Sequence, residues 1–515
     1  MRSEIFEKSF KNSLAINSDY LKIRKSERRR RAACLGDRSI RRYFSVRFRQ
    51  RKPRSRRKAP NLAIFPMFDA ILLASYGGPE KIDDINPFLD RILIGKRVPP
   101  ARRAAIFERY ERFDGVSPLP GECRRFLDRL SEAFAAETAP AQPKNSANPV
   151  NSTKILADAA LQPPTTPRIY WGNLYAPPTF DDAFAQMEAD GVRRLFVFPT
   201  SAFGSPQSCR RYIDAVRDAV RRRSPEFAAR LQIAQTPPFF DLPAYRRAAA
   251  DALLTALAWD ELESNPFDAA APFSQTAQTP QSLDPLKNVD IADAADFNDA
   301  ESDDAPPKRL ILFSAHSLPT DDALKSAYTA QLLAAATAVL RSTLDAPGFG
   351  GQVAEEKNAA EDADATLRFP ARNFVFPDAA DFPPELRRRL RSVGLDAALA
   401  FQSRSGSPGT PWLEPSVADF VRRYKEENPD WNRLIVSPIG FFFENMETVF
   451  DLDVELKEVC DELGVSYRRA ACCGADDRLV CAVRDLARRE PSDFPVCRSA
   501  PGACDFSCRR AADPR

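Results

Sequence analysis

The sequence predicts an α/β protein of two similar halves, each a four-stranded parallel sheet flanked by helices. Three observations carry this. Eight short apolar runs recur along the chain, in two sets of four. An amphipathic stretch of helical character separates most of them from the next. The runs are continuously apolar rather than alternating, which marks strands covered on both faces. In order, the first half offers "FDAILLAS" (68–75), "RIYWGNL" (168–174), "RRLFVFPT" (193–200) and "RLQIAQT" (230–236). The second offers "KRLILFSA" (308–315), "DAALAFQS" (396–403), "NRLIVSPI" (432–439) and "GVSYRRA" (464–470). Stretches such as "DALKSAYTAQLLAAATAVLRS" and "PSVADFVRRYKEE" supply the crossover helices that parallel strands require. Sheets of this kind bind ligands beyond the carboxyl ends of their strands, in the crevice between halves.

The chain is 515 residues long, enough for two or three domains. Three segments, about 137–165, 262–306 and 345–375, are rich in Ala, Asp, Pro, Asn and Ser without a sustained period and are expected to be disordered insertions. The expected boundaries are a first half at 67–261, the insertion at 262–306, a second half at 307–490 and a cysteine-containing tail at 491–515. Residues 1–66 crowd Arg and Lys into one tract with no long apolar stretch, which excludes a typical secretory signal. That tract is read as a disordered extension, or as lying upstream of the true start at Met67. It lacks the interleaved aromatics of a base-stacking surface, so no nucleic-acid partner is expected. No run of 18 apolar residues exists to span a bilayer. Ten cysteines without a secretory signal argue against a disulfide framework and for the cytoplasm.

The candidate chemistry gathers at strand ends. His316 is the only histidine in the chain and follows directly on "LILFSA", at the carboxyl end of the first strand of the second half. After the strand at 433–437, a helix is expected to begin near Glu444, and Glu447, Asp451 and Glu455 recur at i, i+4 and i+8. Like charges at that spacing repel by a few tenths of a kcal/mol per pair, so either they form a solvated face or they guide a divalent cation inward. Seven of the ten cysteines lie after residue 450. Cys497, Cys504 and Cys508 crowd the tail, and Cys209 follows the third strand. Thiolates in fours hold zinc or an iron–sulfur cluster, and spacing does not choose between them. Cys472, Cys473 and Cys481 are rival ligands.

Several of these segments resemble the ferrochelatase family. "FSAHSLP" is similar to its histidine signature, and "SPIGFFFENMETVFDLDVE" to its proline-glycine-phenylalanine segment with a glutamate and an acidic ladder. "LLASYGGPEKIDDINPFL", "RYERFDGVSPL", "DGVRRLFVFPTSAFGSPQSCRRY" and "FQSRSGSPGTPWLEP" match in order, and the likeness runs from about Phe68 to Asp485. The resemblance implies two Rossmann-like domains with a porphyrin in the cleft between them, and insertion of ferrous iron into that porphyrin. It implies that His316 receives pyrrole protons, that Glu447 faces it across the macrocycle, and that Asp451 and Glu455 relay iron or protons. It places Tyr76 close to the metal and leaves the propionates to Lys96, Arg97 and Ser117. A neutral imidazole with a pKa near ~6.5 is expected as the proton acceptor. "GGPE", the "SAF" and "SCRRY" motif and "WLEP" look most like the actinobacterial branch. That implies coproporphyrin III as substrate, with protoporphyrin IX or non-catalytic tetrapyrrole binding as alternatives. It also implies a [2Fe-2S] cluster on Cys209, Cys497, Cys504 and Cys508, and a monomer. This chain departs from the family where Glu444-Asn445 replaces a frequent Asp-His, and where Leu93 and Ile94 stand in place of an arginine pair.

Overall fold

The computed structural model describes residues 68–96, 98–138, 166–261, 309–346, 382–405, 409–489 and 494. Residues 1–67, Arg97, nearly all of the three insertions and the tail apart from Phe494 lie outside the described residues.

All eight expected strands form: β1 (Ala70–Ser75), β2 (Arg168–Asn173), β3 (Arg194–Pro199) and β4 (Gln232–Gln235), then β5 (Arg309–His316), β6 (Leu395–Gln402), β7 (Arg433–Ser437) and β8 (Ser466–Arg469). They make two four-stranded sheets of the same order, β2-β1-β3-β4 and β6-β5-β7-β8. Every neighbouring pair is parallel. Seven helices serve the first half: α1 (Ile82–Leu93), α2 (Pro100–Glu111), α3 (Pro118–Thr138), α4 (Phe180–Ala189), α5 (Cys209–Arg221), α6 (Pro225–Arg230) and α7 (Pro243–Glu261). The second half has α8 (Thr320–Ser326), α9 (Tyr328–Leu344), α10 (Pro384–Arg391), α11 (Val417–Glu427) and α12 (Met446–Val449). A π-helical turn (Asp451–Leu456), α13 (Lys457–Glu462) and α14 (Asp477–Leu486) complete it. The single helix expected after β5 is broken at Ala327, whose φ of 50° is left-handed, giving α8 and α9 instead.

The unbroken apolar runs are explained by two-sided burial. Along β1, Ile71 and Leu73 face one core while Ala70, Leu72 and Ala74 face another. In β5, Ile311, Phe313 and Ala315 point one way and Leu310 and Leu312 the other. The first core in each case is the same one. It runs through both halves, filled by α3 and α7 from the first and by α9 and α14 from the second. Each fully buried Leu or Phe in it contributes about 1.5–3 kcal/mol. Phe494 returns to the first half and packs on Phe68 and Phe196, with ring centroids 5.9 and 5.3 Å away.

Candidate active site

His316 is the last residue of β5, and its backbone pairs with Gln402 at the end of β6. The chain leaving β7 passes so close to this strand end that a Cβ on Gly440 would lie 2.5 Å from that of Ala315, so only glycine fits. Glu447 is thereby brought opposite the imidazole, with Oε1 3.5 Å from Nε2. That is an ion-pair contact rather than a short hydrogen bond. Nδ1 faces the carbonyl of Ser317, which accepts its hydrogen. Burial disfavours the charged ring, but the Glu447 carboxylate, the Ser317 carbonyl and Asp451 outweigh it and push the pKa to about 9. The surroundings of His316 therefore favour its protonated form over the neutral imidazole that the resemblance leads one to expect.

Glu447 is itself held from two sides. Gln402 Nε2 donates to its carbonyl at 2.7 Å. The Asn445 side chain caps α12, accepting from the N–H groups of Glu447 at 2.8 Å and Thr448 at 3.2 Å. The position where the family frequently has its second histidine is therefore a helix cap here. Glu444 pairs with Arg469 at 3.0 Å and accepts from the Cys472 N–H, which makes it a buried anchor between the site and β8.

The acidic ladder does not continue as an α-helix. The Glu455 N–H reaches the Phe450 carbonyl at 3.0 Å, an i→i+5 bond, and the widened turn carries Asp451 and Glu455 on one side. Both face a residue of the other half: Arg109 of α2 donates to Asp451 at 3.3 Å and to Glu455 at 3.1 Å. Its guanidinium lies 4.5 Å from the Phe450 ring centroid. Burial raises Asp451 to about 7, with Glu447 and Glu455 adding to the rise and a hydrogen bond from Ser403 and the charge of Arg109 opposing it. His316, Glu447, Asp451 and Glu455 form a file rather than a cage. Among the described residues no group of three or more His, Cys, Asp or Glu converges on one point.

Aromatic side chains line the opposing wall. Tyr76 follows β1 and packs against Tyr175, which follows β2, with ring centroids 4.6 Å apart and the rings tilted by 58°. Tyr76 keeps 39% of its surface open. Yet burial, then Tyr175, Glu447 and Tyr110, push its hydroxyl well above the usual range, as expected for a ring in a concave wall near Glu447. Tyr110 and Tyr328 are raised by burial and by Glu447 in the same way. Lys96 is exposed, and burial with the charge of Arg211 lowers its pKa. Arg97 lies outside the described residues. Ser117 is 4% exposed, with Oγ taken by the Leu119 N–H and Gly78 packed against its Cβ, so its place is a packing position. Sequence reasoning missed Arg109 and Arg211 as site residues. The second lies in "SCRRY", on the first turn of α5 and well beyond the end of β3, a segment read for its thiol.

Cys209 is buried at the start of α5, with Sγ 3.8 Å from the Ser205 carbonyl. Cys497, Cys504 and Cys508 lie outside the described residues, so one of four expected cluster ligands is seen. Of the rivals, Cys472 and Cys473 have thiols pushed up by burial, and Cys481 is disulfide-bonded.

The family model described as Ferrochelatase matches residues 68–148, 147–268 and 290–490. The chain is similar to the protein named coproporphyrin III ferrochelatase in Streptomyces coelicolor, 27% identical over 87% of this chain and 95% of the relative. Its likeness to the protein of the same name in Frankia alni is 29% over 83% and 81%, and to the ferrochelatase of Rhodopirellula baltica 28% over 79% and 82%. A family match of that extent makes this chain a member of the ferrochelatase family, a metallochelatase acting on porphyrins.

Proposed function

We propose that this chain inserts ferrous iron into coproporphyrin III, giving Fe-coproporphyrin III with release of two protons. The observation that supports it most is the His316–Glu447 pair, 3.5 Å apart at the carboxyl end of β5, with the Tyr76, Tyr110 and Tyr328 hydroxyls close enough to feel the Glu447 charge. Each pyrrole N–H must give up its proton before the nitrogen can bind metal. The acceptor is His316, but only once its own proton has left. Ferrous iron docking at Glu447 cancels the charge that holds the imidazolium, so the ring becomes a base as the metal arrives. The displaced proton passes to Asp451, whose pKa of about 7 suits a relay near neutral pH, and leaves past the exposed Glu455. Tyr76 flanks the macrocycle as a neutral hydroxyl.

The preference for coproporphyrin III is supported by the names of the relatives and by the rim. Between Gly95 and Phe126 the described residues include no exposed large apolar side chain, while Lys96, Arg102, Arg103, Arg109, Arg112 and Arg124 stand there. Four propionates suit such an edge better than two propionates and two vinyls. Equal amounts of coproporphyrin III and protoporphyrin IX competing for limiting iron test it. Faster protohaem formation overturns the substrate, and binding without metalation of either overturns the enzyme.

We also propose a [2Fe-2S] cluster on Cys209, Cys497, Cys504 and Cys508, in a cytoplasmic monomer. Anaerobically purified protein should carry iron and acid-labile sulfide in equal amounts, and Cys209→Ser should remove both. Zinc in their place would overturn the cluster.

A further inference from the structure

His316 and Glu447 both belong to the second half, yet the turn that lies between them is held by the first. Ile439 and Gly440 form that turn, on the chain that runs from β7 toward Glu447. The Gly440 N–H donates to the carbonyl of Ser314, two residues before His316, at 3.0 Å. From the other half, Tyr245 of α7 reaches across, and its hydroxyl donates to the Ile439 carbonyl at 2.5 Å. Both residues are buried, so the bond lies in a dry interior. The tyrosine ring has little freedom, since Phe203 and Phe239 meet it edge-on with ring centroids 6.1 and 6.0 Å away. Phe203 is placed in turn by Gln331 of α9, a buried amide that pairs with the Gly204 backbone as a neighbouring strand would. Its Oε1 accepts from the Gly204 N–H at 2.9 Å, and its Nε2 donates to the Gly204 carbonyl at 3.3 Å. The same Nε2 donates to the Ser326 carbonyl, at the end of α8, at 2.8 Å. Two side chains therefore cross between the halves in opposite directions, Tyr245 into the second and Gln331 into the first.

We propose that Tyr245 is a positioning residue for iron insertion: its hydroxyl fixes the Ile439–Gly440 turn, and through that turn the placement of His316 against Glu447. This rests on the reaction centre proposed above and adds to it a group of the other half that acts through the backbone. Gly440 is packed so tightly on Ala315 that a shift of the turn is passed to the end of β5 rather than absorbed. Packing alone would be met by phenylalanine at position 245, so the hydroxyl serves the Ile439 carbonyl. Gln331 supports it at one remove, by holding Phe203 against the tyrosine ring.

The test compares Tyr245→Phe and Tyr245→Leu with the wild-type full-length chain. Because His316 is the only histidine, its imidazole gives a single NMR resonance of its kind, read at one fixed pH in the metal-free protein. Tyr245→Phe should move that resonance and lower kcat for iron insertion about tenfold, the scale of one buried hydrogen bond, with the Kd for coproporphyrin III unchanged. Gln331→Met should act in the same direction and to a smaller extent. Wild-type resonance and kcat in Tyr245→Phe, with the loss confined to Tyr245→Leu, overturn the proposal, because the ring then serves packing alone. A lower unfolding temperature in Tyr245→Phe with no change in resonance or kcat overturns it too. A wild-type chain that metalates no porphyrin overturns the reaction on which the proposal rests, and the resonance still shows whether the hydroxyl holds His316.

Discussion

Because His316 is the only imidazole in the chain, its titration has no competing signal of the same kind. Its pKa of about 9 means that at pH 7 only about one ring in a hundred is neutral. If the neutral ring accepts the pyrrole proton, kcat/KM should rise about tenfold per pH unit and level off near pH 9. The sign follows from the partner: Glu447 favours the charged ring, so Glu447→Gln should move the break downward while lowering kcat. A profile flat from pH 7 upward would assign the proton to a carboxylate. His316→Ala should cut metalation by roughly 10²- to 10⁴-fold and leave porphyrin binding intact, since no second imidazole substitutes. His316 was legible because an unbroken apolar run ends on it. Its charge state was not, because that depends on Glu447, a residue 131 positions away that the fold brings alongside.

The π-helical turn shows where pattern reading stops. Spacing of four placed Glu447, Asp451 and Glu455 together, and the structure keeps Asp451 and Glu455 on one side, but through a widened turn and a cap that local sequence does not announce. Asn445→Ala should cost about 1 kcal/mol of stability through the lost cap. It should also lower kcat, because the cap orients Glu447; chemical denaturation and an iron-insertion assay separate the two. Arg109 is the cation already sitting on the acidic file. Arg109→Met should therefore lower the ferrous iron concentration needed for half-maximal rate, and Asp451→Asn should raise it. If both variants leave that concentration unchanged, iron does not travel along this face. The Arg109 contact spans 342 residues to Asp451, which is why no spacing rule could find it.

All eight strands were readable from apolar runs, whereas the order β2-β1-β3-β4 and β6-β5-β7-β8 was not, because a run of buried residues does not say which strand lies beside it. The fusion of the halves through one core was not, because apolar periodicity says which face is buried and not against what. Phe442, past the end of β7, has ring centroids of Phe126, Phe198 and Phe239 of the other half 6.1, 5.7 and 5.4 Å away. Phe442→Ala should cost about 3–5 kcal/mol and lower the unfolding transition of both halves together. Two separated transitions would show that the halves fold independently. A chain beginning at Met67 should keep full activity and its unfolding temperature, since Phe68 is already enclosed by Phe196 and Phe494.

That shared core also makes the cleft mechanically uneven. The wall bearing His316 and the loop that carries Phe442 and Phe443 is bolted into the interior of both halves through those two rings, so it yields little to a ring pressed on it. Facing it, α2 buries none of its own side chains, and reaches the file through Arg109 and Tyr110. A flat macrocycle caught between a stiff surface and a compliant one takes up the shape of the stiff one. On the porphyrin reading proposed above, the interior packing of the whole chain, rather than one surface helix, would set the shape a bound ring adopts.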